Sequence, residues 1–138
     1  MAVLTISNSI QLLSTSTTTQ ETAGEALLEN DALFKVTNSG TGTVGTVKKL
    51  VNTSEETATF YGFALQASKS GGSVAVGAGT FEMDASTFAA GECYVASATA
   101  GKLQPVTDLG AADYFGVVGF SYEVDQFVSM PKYVGLVA

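Results

Sequence analysis

The stretch AGECYVASATAGKLQPV, residues 90–106, gathers the side chains best able to do chemistry: Cys93, Tyr94, the hydroxyls of Ser97 and Thr99, and Lys102. A reactive thiol needs a nearby cation to lower its pKa, and Lys102 is the closest one in sequence. Cys93 alternates with Val95, which places it in a strand as a small buried hydrophobe. Two carboxylate pairs, Glu82 with Asp84 and Glu123 with Asp125, have the spacing that puts both groups on one strand face, as acid–base hydrolysis of a glycoside needs. Asp84, ahead of ASTF, reads better as the cap of a helical turn, and Glu123 with Asp125 as solvating charges at a loop edge.

The chain contains no histidine, which removes the usual general base, the Ser-His and Cys-His nucleophile pairs, and most zinc or iron sites. It has no D-x-D-x-D-G calcium loop. SGTGTVG at 39–45 lacks the Gly-Lys-Ser/Thr of a phosphate loop and leads into a strand. The sequon at Asn52, Thr53 and Ser54 reads as a turn. The expectation is a non-enzyme with no catalytic residue, no cofactor and no metal.

Composition points the same way. Hydrophobic residues make up 46% of the 138 and charged residues 14%, below the roughly 25% charged of ordinary soluble domains. So thinly charged a surface implies that much of it touches something. Thirteen acidic residues against six lysines, without arginine, give a net charge of −7 and argue against nucleic acid or an anionic membrane as partner. A single cysteine excludes an internal disulfide. The start, MAVLTISNSIQLL, lacks a basic region, a continuous apolar run and a cleavage site, so no export is expected. No run approaches 18 apolar residues, so no transmembrane helix is expected.

The elements that must position these residues are mostly strands. Leu4, Ile6, Ile10 and Leu12 alternate with Thr5, Ser7, Ser9 and Gln11, a period of two that marks a strand with one apolar face. STSTTTQ at 14–20 is too apolar-poor to bury a core and reads as an extended connector. Residues 1–20 are thus an amino-terminal arm, or else the first strand of the body, and 21–138 a single β-rich domain. TAGEALLEN at 22–30 carries the one helix signal, a capping box of Thr22 and Glu25 before a small apolar face. ALFKVT, TVGTVKKLV, TATFYGFALQA and SVAVGAGTFEM then read as strands separated by turn-formers. TATFYGFALQA is apolar on both faces and is predicted to be central or covered on two sides. ECYVASA, KLQPV, YFGVVGFSY, QFVSM and KYVGLVA follow, with Pro105 marking an edge strand and Pro131 a break. The fold class is therefore all-β: a small sandwich or barrel with one short helix and an extended amino-terminal arm.

The carboxy-terminal part resembles the closing segment of capsid decoration, or cement, proteins of tailed bacteriophages. The resemblance lies in Gly91-Glu92-Cys93-Tyr94-Val95, Gly101-Lys102-Leu103-Gln104-Pro105, Gly116-Val117-Val118-Gly119 and Tyr133-Val134-Gly135-Leu136-Val137. It implies a structural virion protein, made in the host cytoplasm, that sits on the outer surface of the head. Implied partners are the major capsid protein and further copies of itself, as a homotrimer. An arm of alternating apolar residues suits strand addition to an exposed sheet edge. Leu4, Ile6, Ile10 and Leu12, with Phe115, Val117, Phe120, Phe127 and Tyr133, are the expected capsid or subunit contacts. A tail-tube or baseplate β protein and a carbohydrate-binding or adhesive module are the alternatives. The latter is disfavoured by eight Phe and five Tyr without any Trp to form a sugar platform.

Overall fold

The computed structural model describes residues 11–12, 17–82, 90–123 and 126–137. Eleven strands are formed among them: β1 (Gln11–Leu12), β2 (Thr17–Thr22), β3 (Ala32–Lys35), β4 (Val47–Lys49), β5 (Gly62–Ala64), β6 (Ser73–Ala78), β7 (Thr80–Glu82), β8 (Cys93–Ala96), β9 (Leu103–Pro105), β10 (Tyr114–Glu123) and β11 (Gln126–Leu136). Six form one sheet in the order β1-β7-β11-β10-β8-β9, and five form another in the order β2-β6-β5-β3-β4. The strand pairs within both sheets are antiparallel. The fold is an all-β sandwich, as the alternation and turn spacing predict.

Phe63 of the five-stranded sheet meets Phe81 and Phe127 of the six-stranded sheet edge-on, with ring centroids 5.1 and 5.9 Å apart, and Phe60 closes on it at 5.0 Å. Edge-to-face packing at these separations places positive ring edges against negative ring faces. Ala32, Phe34, Leu50, Tyr94, Ala96, Leu103 and Val118 complete this inter-sheet core. The chain passes from the five-stranded to the six-stranded sheet between β6 and β7. β6 ends at Ala78 and β7 begins at Thr80, so Gly79 alone turns the strand, at φ 116°, a region that glycine enters without a Cβ penalty. Ser129 fixes the corner: its hydroxyl lies 2.7 Å from both the Gly79 N–H, whose bond it accepts, and the Gly79 carbonyl, to which it donates.

The five-stranded sheet is covered on its other face too, as the apolar-both-sides pattern of TATFYGFALQA predicts. Alternate residues Leu33, Ala64, Val74 and Val76 turn away from the inter-sheet core and pack with Val47, Ala23 and Leu27. Ala23 and Leu27 come from the segment predicted to be helical. Residues 22–30 instead form an extended strap: Thr22 ends β2, Ala23 bridges to Val47, and Leu27 bridges to Ser68. The capping-box pattern is overridden because Glu25 accepts a 2.9 Å bond from the Lys49 amide of the sheet, and burying Leu27 outweighs a weak local propensity that Gly24 lowers by about 1 kcal/mol. The helical structure among the described residues is a 3-10 turn, Val106–Asp108.

Two further boundaries differ from expectation. Thr17–Thr22, read partly as connector, is an edge strand pairing residue for residue with Ser73–Ala78, because β-branched threonine suits an exposed pleated edge. The boundary expected at residue 20 therefore falls inside β2. Pro131 does not break the chain: it lies within β11, where the pairing with β10 skips between Val117 and Gly119, and a bulge tolerates the missing N–H. Pro105 sits on the edge strand β9, as predicted.

Candidate functional site

β10 and β11 form the longest hairpin, ten and eleven residues, and it outruns its neighbours. β7 pairs with β11 only at Gln126, Phe127 and Val128. Beyond Ser129, no strand among the described residues pairs with that side of β11. Along this margin Met130, Val134 and Leu136 are 54%, 53% and 57% exposed. Pro131 removes one donor and Lys132 is exposed, two devices that keep a bare edge from pairing indiscriminately. The margin can accept an added strand through its main-chain groups.

The outer face of the same sheet carries a second apolar feature. Thr80, Val128, Phe120 and Cys93 are successive cross-strand partners over β7, β11, β10 and β8, so they share one face. Phe120 is 37% exposed in this row. Cys93 is half-buried rather than fully inside; burial, and secondly the Glu92 carboxylate, push its thiol above the usual value, the reverse of nucleophile activation.

The structure separates the expected contact residues. Phe120 is exposed, and Phe115, Val117 and Tyr133 are half-buried. Phe127 is fully buried against Phe63 and Tyr94, so it is core and not a contact, a correction that follows from its partner Phe81 lying on the inner face. Leu12 lies in β1, its backbone opposite Phe81. Leu4, Ile6 and Ile10 fall outside the described residues, as do Asp84 and Asp125 of the carboxylate pairs. Met130, Val134 and Leu136 were not anticipated. Their signal was the alternation in MPKYVGL, hidden by reading Pro131 as a stop.

A groove of about 480 Å³ opens between β3, the turn that follows it and residues 55–61. Lys35, Tyr61 and Glu56 in its lining are engaged internally. Lys35 Nζ lies 3.2 Å from Glu21 Oε1 and 5.1 Å from the centre of the Tyr61 ring, while the Tyr61 hydroxyl donates to Glu21 Oε2 at 2.7 Å. Burial raises the Glu21 pKa, but hydrogen bonds from Tyr61, Thr19 and Lys35 outweigh it and hold the carboxyl below its ordinary range. The bond to Glu21 in turn raises Lys35. Across the groove the Glu56 carboxylate accepts from the Thr41 hydroxyl, the Thr37 amide and hydroxyl, and the Asn38 amide, which lower its pKa. Glu21 thus ties β2 to β3 and Tyr61, and Glu56 braces the turn after β3.

Asn52 of the sequon is 5% exposed in a turn, with its backbone bonded to Ser97 and Tyr114. Among the described residues, no three His, Cys, Asp or Glu side chains group as metal ligands, and no helix is long and apolar enough to cross a membrane. No family model matches the chain, and neither the curated proteins nor the solved structures give a significant match.

Proposed function

We propose that this chain is a non-catalytic structural protein of a tailed-phage virion, a head decoration protein that binds the outer surface of the capsid and reinforces it. The observation that carries the reading is the apolar exposure of the β10–β11 hairpin: Met130, Val134 and Leu136 are each more than half exposed, and Phe120 is partly exposed, on one long hairpin. Support also comes from the 14% charge content, the net charge of −7 without arginine, which suits a partner other than packaged DNA, and the glycine-punctuated motifs of residues 90–138. The partners of this reading are the major capsid protein and copies of the chain around a three-fold site.

The test is to mix the purified protein with undecorated heads and measure attachment by sedimentation. Saturable binding is expected. Replacing Phe120 by Glu should weaken it about 30-fold, the effect of losing a contact worth about 2 kcal/mol. Absence of attachment to any head, with retention on a polysaccharide, would move the assignment to an adhesive module.

A further inference from the structure

We propose that the open margin of β11 is filled by the amino-terminal segment of a second copy of this chain, added as an extra strand. The sheet geometry gives the direction. β1 runs antiparallel to β7, and β7 antiparallel to β11, so β1 and β11 run parallel, with Gln11 and Gln126 both opposite Glu82. A straight continuation of β1 ahead of Gln11 therefore leaves the sheet past the Gln126 end. The open margin lies past the other end, from Met130 to Leu136. β1 thus starts at the end of the sheet opposite its own open margin, which leaves that margin to another copy.

Length, pattern and charge fit that neighbour's margin. Residues 130–136 span about 23 Å at roughly 3.3 Å per residue, and the segment 4–10 ahead of β1 is likewise seven residues long. Its row of Leu4, Ile6 and Ile10 supplies one apolar face to lie beside Met130, Val134 and Leu136. The first twenty residues hold no charged side chain in a chain of net charge −7. They are the part of one copy that approaches another with least repulsion. Donor arm and acceptor margin are different surfaces, so the contact is head-to-tail, the kind that builds a ring when the rotation between copies closes.

The experiment uses the full chain and two single variants, Ile6→Lys in the arm and Val134→Lys on the margin, with masses read by light scattering. The wild type is expected well above its 14.1 kDa monomer mass, and each variant at the monomer mass. Mixed one to one, the variants should give a dimer and nothing larger, because the intact arm of the margin variant fits the intact margin of the arm variant. A monomeric wild type, variants that keep the wild-type mass, or a mixture that stays monomeric would overturn the proposal. Near-ultraviolet dichroism decides the remaining case: loss of the folded spectrum in Ile6→Lys makes that residue part of its own core and also overturns it. Head attachment is a separate measurement, so a monomer that still binds heads removes this inference alone, and a ring that ignores heads removes only the decoration reading.

Discussion

Gly116 of β10 packs directly under the carbonyl of Ala58: a Cβ built on Gly116 would stand 1.8 Å from that oxygen and 2.7 Å from its carbon. The contact clamps the turn at 55–58 against the base of the β10–β11 hairpin. Both atoms belong to backbone, so neither can swing aside. Gly116→Ala should cost about 3 kcal/mol, the upper end for overpacking a close contact. The urea midpoint should fall with the slope unchanged. An unshifted midpoint would mean that the turn moves freely away from β10.

Phe63 and Phe120 should lose different amounts of stability although both are phenylalanines in strands. Phe63→Ala removes the ring that meets Phe60, Phe81 and Phe127 and should cost about 3–5 kcal/mol. Phe120→Ala, on the partly exposed outer row, should cost less, about 1–2 kcal/mol. Equal losses in chemical denaturation would refute the assignment of inner and outer faces.

The Glu21, Tyr61 and Lys35 group predicts a pH profile. Glu21 is held below its ordinary value, so its contribution is complete above the usual carboxylate range and disappears as pH falls through the folded value. Lys35 is raised, so its contribution is complete below the usual lysine value and disappears as pH rises through the folded one. Tyr61→Phe should cost about 1 kcal/mol at neutral pH by removing one hydrogen bond to a carboxylate. Glu21→Gln should flatten the acid limb of stability against pH. An acid limb identical to wild type would assign that limb to other carboxylates.

Cys93 should label slowly. Burial and the Glu92 charge both disfavour its thiolate, the form that attacks a disulfide reagent. Reaction of the folded protein with an aromatic disulfide at mildly alkaline pH is expected to lag well behind that of the urea-unfolded chain. Equal rates in the two states would contradict the half-buried placement.

Much of the sandwich was legible because strands announce themselves by alternation and by turn-formers between them. Ala32–Lys35 and Ser73–Ala78 fall within the segments so read, and Tyr114–Glu123 runs one residue past its segment. Two kinds of information were not local. Alternation separates Phe127 from Val128 but does not reveal which side the other sheet covers, so Phe127 read as surface. The strap at 22–30 carries a good local helix start, yet its fate is set by Val47, Ala64 and Val74, distant in sequence, whose apolar face it covers. The margin of β11 was obscured for a related reason. Proline stops a central strand but is at home on an edge or in a bulge, and only the register shows that Pro131 occupies such a place.

The corner at Gly79 has a mechanical corollary. Because β6 and β7 are one run of chain bent at a single residue, tension applied to the six-stranded layer reaches the other layer through covalent bonds as well as across stacked rings. The two layers resist being peeled apart at that seam, and the Ser129 hydroxyl rivets it.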